Sequence, residues 1–136
     1  MNKQCFSDSD ILCLQKILES REKVPIICHQ EISGIWLQAK NQETELRLLL
    51  MGQIQLTISR VCLVNKRQGT MTMILEQLVQ FCQQHNISRL VVQCVQTAEM
   101  AAWCHKNGFM PDPYASFEVD GIILGNYRKN ITISEE

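Results

Sequence analysis

Between Ile54 and Val95 the hydrophobic pattern changes period twice, and that change limits the folds open to the chain. Ile54, Leu56 and Ile58 alternate with Gln55, Thr57 and Ser59, and the run then turns apolar on both faces as far as Val64, which predicts a strand over 54–64. From Thr70, Met71, Ile74, Leu75, Leu78, Phe81 and Cys82 fall on one face of a helix. Thr72, Glu76, Gln77, Gln80, Gln83 and Gln84 fall on the other, with Met73 the exception. His85-Asn86 ends this helix, Asn being suited to a left-handed cap. Leu90 to Val95 is nearly continuous apolar sequence, as expected of a strand buried on both faces. Strand, helix, strand in this order is a βαβ unit, which demands a parallel strand pair with a helix laid over it.

The flanking sequence extends that unit. Ser7-Asp8-Ser9-Asp10 offers helix caps and acidic charge, Ile11, Leu14, Ile17 and Leu18 recur at helical spacing, and Pro25 stops the run; a helix is predicted over 8–21. Gly34–Ala39 and Leu46–Met51 read as strands, joined to the 54–64 strand by turns too short for parallel crossovers, so the three form an antiparallel meander. The stretch from Ile26 to Ile32 receives no element. Thr97 caps a helix over Ala98–Lys106, closed by Gly108. Asp120-Gly121 turns a hairpin between Ser116–Val119 and Ile122–Tyr127. The expected class is α/β (α+β), a central mixed sheet of about six strands flanked by helices.

At 136 residues the chain reads as one domain, 1–136, able to bury a core without metals or disulfides. The net charge of −1 supplies no global positive field for nucleic acid or an anionic membrane. The seven cysteines are odd in number and lack a C-x-x-C pair, and their spacing beside His29 and His105 matches no common zinc pattern; no metal is expected. Free thiols within apolar runs, without a signal-peptide core or a run of 18 apolar residues, place the expectation in the cytoplasm.

The junction Lys66-Arg67-Gln68-Gly69-Thr70-Met71 is where a strand becomes a helix. Such a junction gathers unpaired backbone N–H groups and the positive end of the helix dipole, and a glycine lets an anion approach the backbone. The plain alternative is a glycine that only eases a tight turn. The hexapeptide is neither a P-loop nor G-x-G-x-x-G.

From Ile54 onward the order and spacing resemble the GNAT-type N-acetyltransferase superfamily. The resemblance rests on Lys66-Arg67-Gln68-Gly69-Thr70-Met71 against a Q/R-x-x-G-x-G/A loop, on the strand Leu90–Val95, on the Gly108-Phe109 step and on the hairpin turning at Asp120-Gly121. It implies that residues 54–131 bind acetyl-CoA as acyl donor and that 1–53 build the side facing the acceptor. The backbone of Leu63 and Val64 would bond the pantetheine arm in a wedge between the central strands. The N–H groups of Gln68, Gly69, Thr70, Met71 and Thr72 would hold the pyrophosphate, with Lys66 or Arg67 neutralising it.

The sequence departs from the family pattern at four places. Lys66 stands for Gln or Arg, and Met71 for a small residue. Cys104 stands where the family often has a tyrosine that protonates the leaving thiolate, while Thr97 corresponds to the family's Asn ahead of that helix. Cys104 is open to two readings, a packing residue beside Trp103 or a thiol acting as acid or acyl acceptor. Tyr114, following Pro111-Asp112-Pro113, is a substitute acid from a loop, and Glu31, Glu45 and His29 are available as base. The implied activity is acetyl transfer to an amine of a small molecule or peptide by direct attack. The alternative is a catalytically degenerate GNAT-fold protein serving as a CoA-binding or protein-interaction module. The terminal hairpin has the pattern of an exposed edge, suited to pairing two copies as a homodimer.

Overall fold

The chain is described by a computed structural model covering residues 5–66 and 68–133. Elements run in the order α1 (Asp8–Glu22), β1 (Ile26–Glu31), β2 (Gly34–Ala39), β3 (Glu45–Met51), β4 (Gln55–Cys62), α2 (Thr70–Gln84), β5 (Arg89–Val95), α3 (Ala98–Lys106), β6 (Met110–Val119) and β7 (Ile122–Asn130). The strands form one sheet in the order β1-β2-β3-β4-β5-β7-β6. β1 to β4 are an antiparallel meander, β4 and β5 pair in parallel across α2, and β7 lies between β5 and β6 with both contacts antiparallel.

α1 begins at a reciprocal cap: Asp10 N–H donates to Ser7 Oγ (3.1 Å) and Ser7 N–H to Asp10 Oδ2 (2.9 Å). It ends at Lys23, whose φ of 60° is left-handed, two residues before Pro25. Its Ile11, Leu14, Ile17 and Leu18 join Ile74, Leu75, Leu78 and Phe81 of α2 over a sheet face built by Leu37, Leu46, Leu48, Leu56 and Ile58. Phe6 stacks on Phe81 with centroids 4.5 Å apart. Full burial of each such side chain stabilises by about 1.5–3 kcal/mol, so this interface dominates the fold.

Several expectations need correction. The sheet has seven strands among the described residues, in keeping with the about six expected, but Ile26–Glu31, which received no element, pairs along β2 as an outer strand. Only Ile26 of it is buried, so its pattern carries little alternation. β4 stops at Cys62, which leaves Leu63 and Val64 in the loop beyond it. β5 is buried on both faces only at Leu90–Val92, since Gln93 and Cys94 are exposed. β6 starts at Met110, so Tyr114 belongs to an irregular strand rather than a connecting loop. Asp112, Pro113, Tyr114 and Ala115 bow out of the ladder between Pro111↔Tyr127 and Ser116↔Gly125.

At Gly34 β2 and β3 approach closely, since a Cβ there would collide with the Leu48 backbone carbonyl. Gly34→Ala should lower unfolding free energy by about 1–3 kcal/mol through forced displacement of β2 from β3. Urea denaturation measures this, and an unchanged midpoint would show that the two strands have slack.

Candidate functional site

Parallel pairing between β4 and β5 covers Gln55↔Arg89 to Ile58↔Val92 and goes no further. Both strands change register at that point. On β4, Arg47↔Arg60 follows Leu48↔Ile58, leaving Ser59 as an extra residue. On β5, Gln93 and Cys94 together face Asn126, between the pairs Val92↔Tyr127 and Val95↔Gly125. Cys94 takes a left-handed φ of 55° and its N–H donates to Asn126 Oδ1 (3.0 Å). A bulge bends its strand and raises local twist. Two bulges at one level send β4 and β5 apart and open a wedge bordered by Ser59–Cys62 on one side and Gln93–Val95 on the other.

The loop leaving β4 leads to the entrance of α2. Gly69 is its N-cap, with φ 75° and no side-chain hydrogen bond to the helix. The other two helices begin differently, with side-chain caps and Asp8, Asp10 or Glu99 in the first turn; α2 has no acidic residue there. Met73 N–H donates to Gly69 O (3.0 Å), and among the described residues nothing accepts from the N–H groups of Thr70, Met71 or Thr72. Among the described residues the Thr70 hydroxyl is also without a partner, although the residue is only 2% exposed. An unpaired buried hydroxyl beside free amides at the positive end of a helix dipole has the donor chemistry that suits an anion. Met71 packs toward the core cluster, and so turns its bulk away from that entrance.

Lys66 and Gln68 are exposed, and Arg67 lies outside the described residues. Gln68 O accepts from Arg21 Nη1 (3.2 Å). Val64 N–H is already donated to Glu22 Oε1 (2.6 Å), and Asn65 N–H to Glu22 Oε2 (2.8 Å). Leu63 is half-buried beyond the end of β4. The Thr97 hydroxyl accepts from Met100 N–H (3.1 Å) and caps α3. Trp103 of α3 reaches the first turn of α2, its Nε1 standing 3.4 Å from Thr72 Oγ1.

The three residues named for catalysis are not brought together. Cys104 is fully buried and its thiol is pushed up to about 12 by desolvation, which fits a packing residue and neither an acid nor an acyl acceptor. Glu31 holds Arg47 with both oxygens (2.9 Å each), and these hydrogen bonds keep its carboxyl below the usual range, so it is a poor base. It also lies three strands from β4, about 14 Å at normal strand spacing. Tyr114 is 98% exposed on the bowed part of β6. Glu45 accepts from Trp36 Nε1 (2.9 Å) and pairs with Arg60 (2.9 Å), while His29 is exposed on β1. Sequence reasoning missed Tyr127, whose fully buried phenol donates to Ile123 O (2.6 Å) and lies 3.3 Å from His105 Nε2. Burial, and then Cys104 beside it, raise that phenol's pKa. It also missed Glu22 and Arg21, which read as an ordinary solvated helix end. Among the described residues no group of three or more His, Cys, Asp or Glu is placed to hold a metal ion.

No family model matches the sequence, and no curated protein does. Solved structures do. The ribosomal-protein-S18-alanine N-acetyltransferase from Escherichia coli aligns over 100% of this chain and 97% of its own, with TM-score 0.57 and 16% identity. Ard1 from Thermoplasma volcanium covers 95% and 96%, with TM-score 0.54 and 12% identity. A GNAT family acetyltransferase from Elizabethkingia anophelis with acetyl-CoA bound covers 72% and 76%, with TM-score 0.50 and 16% identity. The fold is that of the GNAT acetyltransferases. α1 stands directly ahead of β1, and the chain enters the meander without a further helix between Glu22 and Ile26. The residues present offer free amides and a free hydroxyl at the entrance of α2, and strand edges left unpaired where the β4–β5 ladder stops.

Burial that raises Cys82 and Cys104 to about 12 also sets a pH dependence. Above the ordinary thiol range the unfolded chain loses these protons while the folded chain keeps them. Stability should therefore fall as pH rises from about 9 toward 12. Native thiol titration at pH 8 should label exposed Cys5, Cys62 and Cys94 and spare Cys82 and Cys104. Rapid native labelling of Cys104 would show that α3 opens.

Proposed function

We propose that this protein transfers an acetyl group from acetyl-CoA to an amine by direct attack. The observation that carries this is the entrance of α2, where free amides and the unpartnered Thr70 hydroxyl stand at the mouth of a split strand pair within a GNAT fold. Gln68, Gly69, Thr70, Met71 and Thr72 hold the pyrophosphate, and Lys66 or Arg67 offsets its charge. The pantetheine arm lies along Ser59–Cys62 and meets the loop at Leu63. Val64 and Thr97 support the site's walls, since their polar groups already bond within the protein.

The amine nitrogen attacks the thioester carbonyl, the C–S bond breaks, and the electron pair leaves on sulfur. The amine's proton passes to water and the thiolate takes one from water. A thiol ionises near 8.5, so its thiolate departs without a strong acid, which suits a site where Cys104 is buried. The chain's own contribution is then positioning of the two reactants and polarisation of the carbonyl by strand N–H groups. The acceptor is an amine of a small molecule or a peptide. The name of the Escherichia coli neighbour specifies an alanine of a ribosomal protein, which supports keeping peptides in the panel. The reaction belongs to the cytoplasm, and the exposed β6 edge suits pairing of two copies.

A second reading keeps the fold and drops the chemistry: a CoA-binding or protein-interaction module. It is favoured by the separation of Cys104, Glu31 and Tyr114, which do not form an acid–base pair at the wedge.

Saturating acetyl-CoA should raise the thermal midpoint, since ligand at about a hundredfold over Kd adds about 2.7 kcal/mol. Gly69→Asp has open space for its side chain but sets a carboxylate against the pyrophosphate and strains a backbone at φ 75°, and should abolish the shift; Gly69→Asn, with the same strain and no charge, should weaken it less. Thiol release with an amine panel separates the enzyme from the module. No thermal shift with millimolar acetyl-CoA would sink both readings that involve CoA.

A further inference from the structure

We propose that Glu22 is a positioning residue for the acyl-donor site, the clasp by which α1 holds the loop ahead of α2 in a shape able to receive the donor. This rests on the acetyl-CoA reading above. Glu22 is the last residue of α1 and only 5% exposed, an unusual place for a carboxylate. Its Oε1 accepts from Val64 N–H (2.6 Å) and from the Thr44 hydroxyl (2.7 Å), and its Oε2 accepts from Asn65 N–H (2.8 Å). Three elements thus meet on one carboxylate: the end of α1, the turn between β2 and β3, and the loop leaving β4.

Two further bonds run between the same segments. Asn65 Nδ2 donates to Arg21 O (2.9 Å), and Arg21 Nη1 to Gln68 O (3.2 Å). The bonded loop positions 64, 65 and 68 bracket Lys66 and Arg67 and lead straight into Gly69. A loop held at both ends sets where the α2 amides point. Charge-assisted bonds to a buried carboxylate are stronger than neutral ones and resist screening by salt. Glutamine cannot replace the group, because only one of its two polar atoms accepts: an NH₂ facing Asn65 N–H, or Val64 N–H and the Thr44 hydroxyl, leaves donors opposed.

The test is Glu22→Gln in the full chain, with acetyl-CoA as ligand. Calorimetric Kd for acetyl-CoA and donor KM should rise about tenfold or more, acceptor KM should stay unchanged, and amide exchange at Val64 and Asn65 should accelerate while Leu48 and Ile58 remain protected. A uniform loss of stability would instead speed exchange everywhere and spare the donor-specific change. Should the glutamine variant not fold, Glu22→Asp keeps the charge but draws the carboxylate one methylene back from Val64 N–H and Asn65 N–H, and should weaken donor affinity several-fold with the acceptor KM unmoved. Wild-type binding with a folded variant within twofold overturns the clasp and leaves the acetyl-CoA reading standing. Absence of wild-type binding overturns both.

Discussion

Everything distinctive in this molecule depends on a parallel strand pair that is allowed to form only four rungs. A ladder that stopped in bulk solvent would be an exposed edge, and one that stopped inside a core would bury unpaired peptide groups. Here the break is made by one extra residue on each strand at the same level, so that the edges diverge toward the surface. Neither bulge uses glycine. Cys94 holds a left-handed backbone because Asn126 receives its amide, a local compensation for a conformation that costs about 1–3 kcal/mol in a non-glycine residue. The strand helix face is unaffected, and Leu56, Ile58, Leu90 and Val92 remain in one core cluster.

The Glu22 carboxylate is the counterpart of that opening. Removing a charge from water costs several kcal/mol, and the cost is offset only where donors surround it. Two backbone amides and a hydroxyl do so here. The amides are spent on the carboxylate at positions 64 and 65 but left free at 70 to 72, so the loop separates what the protein satisfies internally from what it offers outward. That division argues more for a site than an uncapped helix alone does.

How much of this was visible in the sequence follows from where local physics decides the outcome. The period change at Gly69, the Thr97 cap and the Asp120-Gly121 turn depend on neighbours a few residues away, and α2, α3 and the terminal hairpin formed where those signals stood. β1 was illegible because an outer strand with one buried residue has no pattern to show. The bulges were illegible because Ser59 and Cys94 look like any strand residues, and only the partners Arg47 and Asn126 reveal them. Glu22 could not be singled out, since a glutamate ending a helix is ordinary until the chain returns over it 42 residues later. Matching positions to a family pattern named Cys104 as the place to look, but burial decides what a thiol can do, and burial is a property of the assembled core.

The order of strands in the sheet has a kinetic consequence. β1 to β4 pair with neighbours in the chain, as do β6 and β7, whereas β5 joins both groups through contacts that span helices. Local hairpins close with little loss of loop entropy, while the contacts of β5 wait on long closures. This topology implies that the two halves organise first and that the seam between them closes late. The wedge and the helix entrance lie on that seam, so the region that would meet a ligand depends on the longer chain closures of the sheet.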